Sequence, residues 1–186
     1  MRRFNSIIGP AIIILFLIHA ISGAFQLFGI IPGGSVIREI LSYILVAAVA
    51  LHMFIGIKLT ADTLLACKKA GRSCFRDNTE FWIRRISGFA LILFIIYHMC
   101  VFMSSSGEVF RLNNFGVLQM AAHILLTLAL VIHLLMNIKP LFIALGISGR
   151  KYLKDVIIIL SAVLLLCAAA FVIYYLRWNV LWTYGG

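Results

Sequence analysis

Five histidines, His19, His52, His98, His123 and His133, stand within runs of otherwise apolar residues, and four of them recur in matched contexts. Ser-Ile-Ile-Gly9-Pro-Ala-Ile-Ile-Ile-Leu-Phe-Leu-Ile-His19 parallels Arg-Ile-Ser-Gly88-Phe-Ala-Leu-Ile-Leu-Phe-Ile-Ile-Tyr-His98, each with glycine ten residues before histidine. His52-Met-Phe-Ile-Gly-Ile-Lys58 parallels His133-Leu-Leu-Met-Asn-Ile-Lys139, each closed by Ile-Lys at the same count. The offsets, 79 and 81 residues, mark an internal duplication of a two-segment unit. An ionisable ring surrounded by hydrocarbon is costly and marks a functional position by default. It can bridge two helices by a hydrogen bond, relay a proton, or ligate a metal through a ring nitrogen.

The elements that carry these rings are set by composition. Of 186 residues, 63% are hydrophobic and 12% charged, and the mean hydropathy is +1.10, which excludes a water-soluble globular enzyme. Five apolar segments, Ile7 to Ile30, Val36 to Lys58, Ile83 to Met103, Phe115 to Ile138 and Val156 to Tyr175, are each long enough to cross a bilayer. Backbone groups in lipid must bond within their own segment, so these spans are expected to be helices. The expectation is an all-α five-transmembrane-helix bundle forming a single domain over residues 1–186, with loops at Ile31 to Ser35, Leu59 to Trp82, Ser104 to Asn114 and Lys139 to Asp155.

The net charge of +10 has a topological explanation. Arg2, Arg3, the seven cations from Lys58 to Arg85, and Lys139, Arg150, Lys151 and Lys154 fall on one side of such a bundle, against Arg38, Arg111 and Arg177 on the other. The positive-inside rule then places the N-terminus and both basic loops in the cytoplasm, and the Trp178, Trp182 and Tyr184 tail at the outer interface. No nucleic-acid partner is needed to account for the charge. Arg2-Arg3 before an apolar run ending near Ala20 and Ala24 also has the form of a signal peptide, but its match to the third span favours a retained helix. Cys67, Cys74, Cys100 and Cys167 form neither CxxC nor CxxCH and are expected to be plain thiols.

At about 1.5 Å per residue, His52 and His133 lie about 9 Å in from the basic face and His19 and His98 about 20 Å in. Each level therefore holds one histidine from each half of the duplication, on different helices. This is the arrangement needed to clamp a flat macrocycle from both faces, and two bis-histidine b-type haems are the expected cofactors, with His19, His52, His98 and His133 as iron ligands. Lys58, Lys139, Arg84 and Arg85 are candidates to pair with haem propionates or simply anchor the basic face. His123 has no counterpart in the duplication, and Gln119 lies one turn before it on the same face. The readings open for His123 are a polar contact to a neighbouring helix or a propionate, a proton or quinone contact near the outer surface, and replacement of His133 as ligand. Gly9, Gly23, Gly56 and Gly88 are candidate close-approach positions.

Phe81-Trp-Ile-Arg-Arg-Ile-Ser-Gly-Phe-Ala-Leu-Ile-Leu-Phe-Ile-Ile-Tyr-His98 resembles the third transmembrane segment of the dihaem cytochrome b subunit of succinate:quinone and quinol:fumarate oxidoreductases, and the likeness extends to His19, His52 and His133. The resemblance implies that His19 and His98 hold the haem distal from the catalytic subunits and that His52 and His133 hold the proximal one. It also implies a flavoprotein and an iron–sulfur subunit docked on the cytoplasmic face, a membrane quinone (menaquinone) near the outer face, and residence in a bacterial cytoplasmic membrane. Dicarboxylate chemistry would lie in the partner subunits, with quinone chemistry at this one. Glu39, beside Arg38, is the nearest acidic candidate for a quinone contact. Two other readings remain open from the residues: a dihaem quinone-reacting subunit of formate dehydrogenase or hydrogenase type, and a haem-free anchor or transporter whose histidines relay protons.

Overall fold

A computed structural model describes residues 2–71, 73–74, 78–103, 115–147 and 149–181. Arg72, Arg76, Arg111, Trp182 and Tyr184, which enter the charge and interface expectations, lie outside them. The described residues form five helices, α1 (Arg2–Phe28), α2 (Val36–Lys69), α3 (Thr79–Phe102), α4 (Val117–Ala144) and α5 (Arg150–Leu176), and a π-helical turn over Arg177–Leu181. All five are long and apolar enough to cross a membrane, and no strand occurs among the described residues.

The helices overrun the apolar segments that mark them. α2 has 34 residues, about 50 Å of helix, against roughly 30 Å of bilayer hydrocarbon. It continues eleven residues beyond Lys58, because hydropathy finds the lipid edge while the helix ends only where its backbone bonding is closed. That closure comes at Ala70, whose N–H donates to the Ala66 carbonyl, followed by Gly71 at a φ of +64°. α4 likewise runs past Lys139 and through Pro140 to a full Schellman closure, in which Gly146 donates to Ile143 and Ile147 to Phe142, with Gly146 at a φ of +72°.

In cross-section α5 is the central element. It packs on both α1 and α4, while α2 flanks α1 and α3 flanks α4. Ala170 on α5 and Phe115 just before α4 are fully buried, and Phe115, Phe171 and Tyr174 form an aromatic cluster against Leu27, Val101, Phe102 and Trp178. A second cluster, Leu91, Leu126 and Ala129, joins α3 to α4. Outward positions such as Ile7, Phe89, Leu118 and Leu165 are large, apolar and exposed, as a lipid-facing surface requires. α1 and α3 are not packed neighbours, nor are α2 and α4.

The structure corrects one expectation about the cysteines. Cys67 and Cys74 form a disulfide with Cα atoms 5.7 Å apart, leaving Cys100 and Cys167 as free thiols. Cys67 sits in the last turn of the overrun α2, and the reversal at Gly71 returns the chain to it. Trp82 of α3 fixes the returning segment by donating its indole N–H to the Cys74 carbonyl at 3.1 Å. Denatured protein alkylated without reductant should therefore be modified at two cysteines, and at all four after reduction, when read by intact mass. Four modifications without reductant would contradict the bridge.

Candidate functional site

The helix arrangement brings the duplicated histidines together in two cross-bundle pairs. His19 of α1 faces His98 of α3 with ring centres 6.0 Å apart and planes at 80°. His52 of α2 faces His133 of α4 at 6.4 Å and 89°. A metal–imidazole bond of about 2 Å puts the metal roughly 3 Å from each ring centre, so two axial imidazoles on one metal span roughly 6 Å between centres. Both pairs have that span, and each joins helices that do not pack on one another. The His98 ring lies 5.2 Å from that of His123, ten residues before His133 on α4, so the two levels are about 15 Å apart along that helix.

Two serines orient the rings. Ser42 donates its hydroxyl to the Arg38 carbonyl at 2.8 Å and lies 3.0 Å from His19 Nδ1. With its proton committed, Ser42 can only accept, so His19 carries its proton on Nδ1 and leaves the Nε2 lone pair bare. Ser87 does the same for His133: it donates to the Arg84 carbonyl at 3.2 Å and accepts from His133 Nδ1 at 3.2 Å. Fixing the tautomer through the remote nitrogen is how proteins present Nε2 to a metal. Sequence reasoning missed both serines in this role. Ser87 stood beside Gly88 in the repeated stretch, and Ser42 carried no spacing signal. His52 Nδ1 and His98 Nδ1 are buried with no hydrogen-bond partner.

The glycines divide by what surrounds them. A Cβ on Gly88 would come within 3.2 Å of His133 Cε1, so the missing side chain lets that ring lie against α3. Gly9 does the same for Leu141 of α4. Gly23 and Gly56 each lie one turn after a histidine, His19 and His52. A Cβ on Gly23 would meet nothing within 4 Å, and one on Gly56 only the Arg85 guanidinium at 3.6 Å.

His123 is buried among Phe102, Phe115, Phe171 and Tyr97, with the Phe171 ring 4.7 Å away. Its Nδ1 donates to the Gln119 carbonyl at 2.6 Å, and its Nε2 is buried without a partner. It adjoins His98, whereas His133 is the ring facing His52. The Gln119 side chain accepts from the Gly116 N–H and caps α4. Glu39 is exposed and accepts from the Tyr43 hydroxyl at 3.3 Å. Among the basic candidates, Lys58 and Lys139 are exposed, and Arg84 pairs with Glu80 at 3.6 Å. Arg85 is half-buried over the Phe81 ring, approaches Gly56 on α2, and has an Nε with no partner.

Compared with known proteins, the chain matches no family model, no curated protein and no solved structure. Its chemistry must be read from the site itself. Nitrogen NMR on histidine-labelled protein should find the proton on Nδ1 in His19, His123 and His133. An Nε2-protonated ring at His19 or His133 would contradict the serine-fixed geometry.

Proposed function

We propose that this chain is a membrane-embedded dihaem cytochrome b that carries electrons through the bilayer as the anchor subunit of a succinate:quinone or quinol:fumarate oxidoreductase. The observation that carries the reading is the pair of cross-bundle imidazole couples, 6.0 and 6.4 Å between ring centres, on helices that do not otherwise pack together. A hydrogen bond between helices needs one ring and one partner, and a proton relay needs a connected chain of donors and acceptors. Two rings held a metal's width apart, at two levels, with serines committing Nδ1 in one ring of each pair, would suit ligation of a metal better than either.

In this reading His19 and His98 ligate one haem, and His52 and His133 the other. Bound haem supplies a one-electron iron couple whose potential is tuned by its ligands and surroundings. The chain's residues do the rest. Ser42 and Ser87 hold His19 and His133 in the ligating tautomer, Gly88 admits the His133 ring, and Gly23 leaves the space beside it open one turn after His19. Arg85, inward-facing with an uncommitted Nε, suits a propionate carboxylate at the His52/His133 level.

The same proposal places the basic end in the cytoplasm of a bacterial cell, where a flavoprotein and an iron–sulfur subunit would dock, and a quinone such as menaquinone at the opposite end. The disulfide at the basic end opposes this orientation, since cytosolic disulfides are rare. Charge outweighs it: the loop order of the sequence assigns thirteen of the sixteen cations to that side, and orientation is set at insertion, before any thiol can be oxidised.

Replacing His52 or His133 with Ala should lower the pyridine haemochrome count from about two haems per chain to about one, with the remaining haem spectrally intact. Gly88→Val should deplete the same haem by crowding His133. Full haem content in both histidine variants would overturn the pairing.

A further inference from the structure

At the basic end, away from the histidine pairs, a surface cavity of about 440 Å³ lies between the end of α4 and the first turns of α5. Its surface is almost wholly apolar, formed by Leu153, Ile157 and Ile158 and by the hydrocarbon stems of Lys139, Arg150 and Lys154, whose charged ends border it. All three cations are exposed, and among the described residues none of them has an ion-pair partner. The first turn of α5 holds no acidic residue and Gly149 gives it no side-chain cap, so its free N–H groups add to the positive potential. Ile157 and Ile158 follow about two turns further along the helix, which carries the wall of the cavity from the charged end toward the apolar middle of the span.

A water-filled pocket has no use for the three apolar side chains, and a purely apolar groove none for the three cations. One molecule satisfies both halves: a phosphate ester with an attached hydrocarbon chain. We infer that this cavity is a binding site for an anionic phospholipid, its phosphate held by Lys139, Arg150 and Lys154 and an acyl chain lying over Leu153, Ile157 and Ile158. Basic recesses between transmembrane helices are suited to such headgroups. The site would tie α4 to α5, the helix on which the bundle is centred, without touching the histidine pairs.

The test is native mass spectrometry of the full chain in detergent micelles, titrated with phosphatidylglycerol, phosphatidylcholine or inorganic phosphate. Wild-type protein should retain phosphatidylglycerol in preference to phosphatidylcholine. The triple variant Lys139→Ala, Arg150→Ala, Lys154→Ala should lose that retention on the order of a hundredfold, since each cation near an anionic lipid contributes about fivefold. A control lacking charge elsewhere, Lys68→Ala, Lys69→Ala, should keep it, as should the charge-conserving Lys139→Arg, Arg150→Lys, Lys154→Arg. Equal retention of the two lipids, an equal loss in the control, or displacement of phosphatidylglycerol by millimolar phosphate would each overturn the inference.

Discussion

An imidazole in the middle of an apolar bundle must dispose of its N–H, and the rest of this architecture follows from how two of them do so. In His19 and His133 the proton is handed to a serine whose own proton is already given to a backbone carbonyl. That commitment leaves Nε2 without a proton, a lone pair that a metal would use. The serine must come from a neighbouring helix, so Ser42 on α2 serves α1 and Ser87 on α3 serves α4. The ring must also reach past the intervening backbone, which Gly88 allows. α5 packs on both α1 and α4, and across the interior the helices of each histidine pair meet through their rings rather than their backbones.

The two ends of the bundle are closed by different means. Away from the basic face, Arg177 reaches from the end of α5 to donate to the Leu27 carbonyl of α1, and Arg38 donates to the Pro32 carbonyl at 2.6 Å. There the scarce cations finish off helix ends. At the basic face Lys139, Arg150 and Lys154 have no ion-pair partner among the described residues, and the overrun of α2 is held by the Cys67–Cys74 bridge and the Trp82 contact. Exposed cations with no ion-pair partner inside the chain are available to anionic groups outside it, such as phospholipid headgroups.

Much of this was legible in the residues because duplication is a strong signal. Equal spacing from Gly9 to His19 and from Gly88 to His98, and from His52 and His133 to a closing Ile-Lys, was enough to pair rings that the fold then brings within 6.4 Å. What stayed hidden has physical reasons. Hydropathy reports the edge of lipid, so it could not see that α2 continues to Lys69 or that α4 passes through Pro140. A cysteine pair separated by seven residues carries no pattern until the turn at Gly71 folds it back. Ser42 resembles any hydroxyl in a membrane helix, and α5, which carries no histidine, gave no hint that it is the element on which the bundle is centred.

The paired rings carry electrons only if haem binds between them. The most direct measurement is a dithionite-reduced minus air-oxidised spectrum of the purified chain, combined with low-temperature magnetic resonance of the oxidised form. The account predicts b-type bands and two low-spin ferric signals of bis-imidazole character, in equal amounts. A chain that folds in detergent with its histidine tautomers as described, yet shows no Soret absorption after expression with ample haem, would contradict it.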